Sequence, residues 1–298
     1  PAASPANSAS VMPGALICPD SPNPALEAMV SRLELAKYKA TVQGLTPFGD
    51  RRQGTDRNRA AVDWIEAQLK SYGCTPTARI TYDFQPPPPR RPRPPMDSAA
   101  RARAERFNAG GARNRGKRMP TGVNTDSTKQ PDAKLRALDT PQSVAGERQE
   151  VYCTKVGTTH PDEMYIVGGH MDGIGWGEAA NDDGSGTALV MELARVFSSP
   201  DVHTDRSIRF ILWNNEETGL DGARAYVAQR PALQGIESPK GSGKYPEPRW
   251  LGMIQHDMMM FDHGMPRADG TMSPEQRPEA DVNIEFQSKS KFAAQSEA

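Results

Sequence analysis

The chain has 298 residues, with 36 Lys+Arg against 37 Asp+Glu and a formal net charge of −1. That length suits one α/β domain with a sizeable core, or one domain with appendages, and the balanced charge argues against nucleic acid or an anionic membrane surface as a partner. No apolar run approaches the ~20 residues of a membrane span, and no basic-then-apolar leader is present, so neither a span nor a signal peptide is expected within these residues.

Residues 1–23 are rich in Ala, Ser, Pro and Asn and read as a flexible N-terminal arm. From Pro24 the pattern turns helical: Leu26, Met29, Val30 and Leu33 recur at three- and four-residue spacing, with Asn23 as cap and Pro24 in the first turn. Residues 44–58 form a turn-rich loop. Residues 59–72 then read as an amphipathic helix, with Ala61, Val62, Ile65 and Leu69 on one face and Gly73 as stop signal. Residues 78–84 alternate like a strand.

The composition then changes abruptly. Residues 86–146 contain PPPPRRPRPP and many further Arg, Ala and Gly, with no apolar periodicity. They are expected to be an inserted, largely disordered low-complexity segment. PxxP can bind aromatic grooves and an Arg run can bind acidic surfaces, but a solvated insertion without chemistry is the weightier expectation.

Strand and helix alternate after the insertion. Residues 150–156 read as a strand and 158–163 as a turn. Strands are expected at 165–168, 208–213 and 250–255, and helices at 186–197 and 221–229, with a Gly/Pro loop over 240–249. That order argues for a layered α/β domain. Beyond residue 264 the chain is polar, with a short strand at 282–286 and the start of a helix at 288–298. The three cysteines, Cys18, Cys74 and Cys153, form no CxxC and no zinc cage. A Cys18–Cys74 disulfide and three unpaired thiols are both compatible with the spacing.

Polar clusters follow three of the strands. His170-Met171-Asp172 ends the first, with Asn181-Asp182-Asp183-Gly184 shortly after; Glu216-Glu217 follows the second; His256-Asp257 follows the third. In an open α/β sheet, ligands bind at the carboxyl ends of strands. One imidazole and several hard carboxylates, with no thiolate nearby, compose a metal site. A His next to an Asp is usually an ordinary surface pair, and an acidic cluster before a helix is usually a cap. Two adjacent carboxylates at a strand end repel unless a cation is present. The clusters together, each at the end of its own element, outweigh these separate bland readings.

GGHMDG, ANDDGSGTA, NNEETGLDGARAYV and HDMM resemble, in order and spacing, the di-zinc aminopeptidase family of bacterial secreted leucyl aminopeptidase type. That family includes glutamate carboxypeptidases, glutaminyl cyclases and the catalytically silent transferrin receptor. The resemblance covers about 24–84 and 150–290. It implies a mixed β-sheet sandwiched between helices, in a zinc peptidase domain over 24–298 interrupted by the insertion. It implies His170 and Asp257 on one zinc, Glu217 on the other and Asp182 bridging both. Asp172 would orient His170, and Glu216 would be the general base. A cis peptide at Asp182–Asp183 is implied as well. The expected activity is zinc-dependent removal of N-terminal residues from peptide substrates. A silent or one-metal binding module, or a carboxypeptidase- or cyclase-like variant, is the alternative. No His matches the family's further ligand of the second zinc, since the five are 160, 170, 203, 256 and 263. The chain is therefore expected to be C-terminally incomplete, to hold one Zn2+ tightly and a second weakly if at all, and to have little peptidase activity. The same resemblance implies a secreted or periplasmic protein with a leader upstream of Pro1.

Overall fold

The computed structural model describes residues 23–86, 132–137, 144–174 and 177–260. The arm over 1–22, the 282–286 strand, the 288–298 helix and most of the 86–146 insertion lie outside the described residues. The chain divides into two compact units, residues 1–32 with 262–298 and residues 33–261. Of the first, the helix α1 (Pro24–Val30) is described, and Asn23 caps it by accepting the N–H groups of Ala25 and Leu26. The single helical pattern expected from Pro24 is thus two helices, because α1 stops at Ser31 and α2 (Leu35–Leu45) begins separately.

The second unit is built on a five-stranded mixed sheet. Its strands are β1 (Thr77–Phe84), β2 (Gly146–Lys155), β3 (His160–His170), β4 (Arg206–Trp213) and β5 (Arg249–Gln255). They lie in the order β1-β2-β4-β3-β5. β1 and β2 pair antiparallel, as do β2 and β4, whereas β3 is parallel to both β4 and β5. The carboxyl ends of β3, β4 and β5 therefore share one edge.

The strand period of two sends alternate residues to opposite faces. Val151, Cys153, Phe210 and Leu212 face α2, α3 (Asp56–Ser71) and a helix over Gly184–Phe197, where they meet Leu45, Ala61, Val62, Ile65, Leu69, Met191 and Ala194. Tyr152, Ile211 and Trp213 face the other way, towards Tyr226 on the helix Asp221–Gln229 and Trp250. A short helix over Ala133–Ala137 comes before these two in the chain, so in chain order it is α4, Gly184–Phe197 is α5 and Asp221–Gln229 is α6. Helices thus cover both faces, as the family resemblance implies. Fully buried side chains such as Ile65 and Leu69 each contribute ~1.5–3 kcal/mol through burial. α3 starts where Thr55 accepts the Asn58 N–H, three residues before the start expected from the apolar pattern.

Of the insertion over 86–146, the described residues include α4 and Gly146, which pairs with Phe84 in the sheet. The cysteine pairing needs correction. Cys74 bonds Cys153 across a separation of 79 residues. Cys74 lies three residues before Thr77, the first residue of β1 and the partner of Cys153, so strand register rather than spacing along the chain selects the partner. Among the described residues no helix is long and apolar enough to cross a membrane.

Candidate metal centre

His170 is the last residue of β3 and is buried. Its backbone N–H donates to Asp183 Oδ2 at 3.0 Å, and its carbonyl accepts the Thr187 hydroxyl at 2.8 Å. The ring is held by Nδ1, which lies 3.0 Å from the backbone carbonyl of Asp172. A carbonyl can only accept, so Nδ1 carries a proton and Nε2 is the atom turned to the cluster. Nε2 lies 3.2 Å from Asp182 Oδ1, 3.8 Å from Asp257 Oδ1 and 4.0 Å from Glu216 Oε2.

One ligand atom each from His170, Asp182 and Asp257 falls within 4.8 Å of the others. This donor set, one imidazole and two carboxylates, fits zinc, which takes three protein ligands and keeps an open position in catalytic sites. The structure therefore brings together three of the four expected ligands. Glu217 stands outside that trio, although its carboxyl feels the charge of Asp182.

The electrostatics are those of acids crowded around a single base. Burial pushes Glu217 up to about 8, reinforced by Asp182, with His170 opposing. Burial also raises Glu216, Asp257 and the fully buried Asp183, again with His170 opposing. Burial alone would lower His170, but Asp172 and Asp182 outweigh it and hold the imidazole at about 12. The raised carboxyls of Glu216, Glu217, Asp183 and Asp257 are ones that a cation would relieve.

Asp172 touches both the imidazole and the Glu216 segment. Its carboxylate is 3.7 Å from His170 Nδ1, and Oδ1 instead accepts the Glu216 backbone N–H at 3.0 Å. Asp172 orients the imidazole through its carbonyl and the Glu216 segment through its side chain.

Close packing at the α5 N-terminus fixes the trio. A Cβ on Gly169 would lie 2.9 Å from the Gly186 carbonyl carbon, and one on Gly186 would lie 2.5 Å from the Asp183 carboxylate. Only glycine lets α5 approach β3 this closely. The peptide bond Asp182–Asp183 is cis. Three groups singled out only as part of a motif hold the segment after Asp257. Asp183 Oδ1 accepts the Met258 N–H at 3.2 Å, Ser185 Oγ accepts that of Met259 at 2.7 Å, and Asn181 Oδ1 accepts that of Met260 at 3.0 Å. The polar run before α5 was the visible signal; its partners, three backbone amides 74–79 residues away, were not.

Residues 150–284 match the family model described as Peptidase family M28. Over 68 residues the chain is 46% identical to Aminopeptidase YwaD of Bacillus subtilis, a stretch that covers 23% of this chain and 14% of that protein. A longer alignment, 27% identical over 230 residues, covers 72% of this chain and 36% of a probable zinc metalloprotease of Pyricularia oryzae. The chain thus matches well under half the length of these relatives. Among solved structures, the Peptidase M28 precursor of Shewanella amazonensis has the same fold at a TM-score of 0.50, 17% identity and 70% coverage of each chain.

Proposed function

We propose, on the premise that residues 150–284 are a Peptidase family M28 domain, that this chain is a zinc-dependent aminopeptidase cleaving N-terminal residues from peptides. The observation that carries the reading is the convergence of His170 Nε2, Asp182 and Asp257 at the carboxyl edge of the sheet. The aminopeptidase and zinc metalloprotease names of the relatives support it.

His170, Asp182 and Asp257 would hold one ion tightly. Glu217 with the shared Asp182 offers a second position only two carboxylates among the described residues, a poor donor set for zinc. When bound, zinc supplies Lewis acidity at a carbonyl and lowers the pKa of water towards ~7. Glu216 is the general base: it takes the proton of the attacking water and returns it to the leaving amine. Its carboxylate lies 4.0 Å from the ligating nitrogen, and Asp172 fixes its backbone. Its raised pKa brings the group closer to neutral pH, where a base that must also act as acid works best.

The test combines activity and metal content. Wild type should hydrolyse leucyl chromogenic amides, lose this with chelator and retain one zinc after dialysis. Glu216→Gln should keep the zinc and the fold while losing ~10²–10⁴ in kcat. A Gln variant with near wild-type turnover removes Glu216 from the role of base. Cleavage confined to N-terminally blocked peptides would shift the reading to a carboxypeptidase. The Cys74–Cys153 disulfide supports placement in an oxidising compartment, extracellular or periplasmic. Reactive thiols at both positions in the native protein would count against that placement.

A further inference from the structure

Arg51 stands apart from the residues already given roles. It is completely buried, although it belongs to a loop rich in charge and turns, and its backbone is left-handed at φ 51°. A non-glycine residue is held there only where its surroundings over-determine it. Four of its five N–H donors have partners, and every partner is a backbone carbonyl. Nε donates to Met171 at 2.7 Å, Nη1 to Glu178 at 2.9 Å and to Gly49 at 3.2 Å, and Nη2 to Ala179 at 2.7 Å.

The acceptors define what the guanidinium does. Met171 lies between His170 and Asp172, and Glu178 and Ala179 lie just before Asp182. One rigid fork therefore ties together both ends of the excursion that carries the imidazole and the shared carboxylate. The fit is close on the far side as well: a Cβ on Gly184 would lie 2.7 Å from the Ala179 carbonyl and 3.4 Å from Arg51 Nη2. Ala179 is itself left-handed at φ 47°, and its carbonyl also accepts the Gly184 N–H at 3.0 Å. Asp172, Asp183 and Asp50 surround the guanidinium with negative charge without displacing the carbonyls as its partners.

We infer that Arg51 is a positioning residue for the metal centre, setting the spacing of His170 and Asp182 through the Met171 and Ala179 carbonyls. The inference rests on the zinc reading of that centre. Partners behind metal ligands typically contribute 10–100-fold in metal affinity. Lysine keeps the charge but is a point donor without the planar fork.

The experiment measures zinc affinity by chelator competition, with Co2+ absorption as a report of ligand geometry, on the 298-residue chain. Arg51→Lys is expected to fold, to bind zinc 10–100-fold more weakly and to alter the Co2+ spectrum. Arg148→Lys removes the fork of another buried arginine, whose partners are Gln53, Glu147 and Val144. It is expected to lower the melting temperature with zinc affinity unchanged. If Arg51→Lys fails to fold, Gly184→Ala presses on the same carbonyl from the other side and should weaken zinc by a similar factor. Wild-type affinity and Co2+ spectrum in whichever of these variants folds would overturn the assignment. A wild-type chain that binds no zinc would overturn the metal centre itself, and the role of Arg51 with it.

Discussion

Glu150 is a carboxyl in the middle of β2 with no exposure to solvent. Oε2 accepts the Asn214 N–H at 3.3 Å, and Oε1 has no hydrogen-bond partner among the described residues. Burial holds it at about 8, with the Asn214 N–H opposing and Asp172 adding to the rise. The folded chain therefore keeps a proton that the unfolded chain, with a pKa of ~4.3, releases. Stability falls as pH rises from that value towards 8 and then levels. Glu150→Gln should flatten part of this slope and raise stability at pH 8 by ~1–3 kcal/mol relative to wild type. Melting temperatures of both proteins between pH 5 and 8 check it; parallel curves would show that Glu150 is already ionised at pH 5. Of the residues of the centre, His170, Glu216 and Asp257 were legible because each follows an apolar run, whereas Asp182 precedes a helix and was singled out by the family resemblance. Arg51 was not. GDRRQG looks like a solvated turn, and its burial is decided by carbonyls more than a hundred residues away.

At the scale of elements, the apolar strands were legible and their polar ends were not. β3 extends back to His160 through residues that read as a turn. Glu163 there accepts Arg206 Nε from β4 at 2.8 Å and Arg249 Nη2 from β5 at 3.1 Å. The charges that make a polar strand end tolerable lie on its neighbours, so no periodicity within the strand reveals it. The break between α1 and α2 has a similar origin, since the Glu34 N–H donates to Glu192 on α5 at 2.7 Å. β4 is tied to the loop before β5 by a buried pair. Arg209 Nη1 meets Glu247 Oε2 at 2.5 Å, and Glu247 Oε1 accepts Tyr226 Oη and Trp250 Nε1, both at 2.6 Å. Removing one partner of such a pair leaves the other charge buried and alone. Glu247→Ala should cost ~3–5 kcal/mol, read as a lower denaturation midpoint. A loss below ~1 kcal/mol would mean that water reaches Arg209 and replaces the carboxylate.

For the molecule as a whole, the layered α/β class and the edge carrying the site followed from alternation and motif order, and the two covered faces from the family resemblance. The cysteine pairing did not, because it depends on which strands become neighbours. Within the second unit, the bond Cys74–Cys153 closes one end of the β1–β2 ladder, and the pair Phe84–Gly146 closes the other. The disulfide limits the unfolded chain over a long loop, a contribution of roughly 2–4 kcal/mol. The opposite end carries a different expectation. Replacing residues 87–143 by a two-residue hairpin turn should leave unfolding cooperative and shift the melting temperature by only a few degrees. A collapse of the transition would show that these residues support the sheet.

That far end of the ladder also makes the chain modular. Phe84 and Gly146 are direct antiparallel partners, so their Cα atoms lie ~4.5–5.5 Å apart. Loop closure costs only ~0.6 kcal/mol for each doubling of length. Chain length is therefore nearly a free variable at this point. Any folded module whose own termini lie close together, a fluorescent reporter or an affinity domain, can be carried between Pro86 and Val144 without asking the sheet to move.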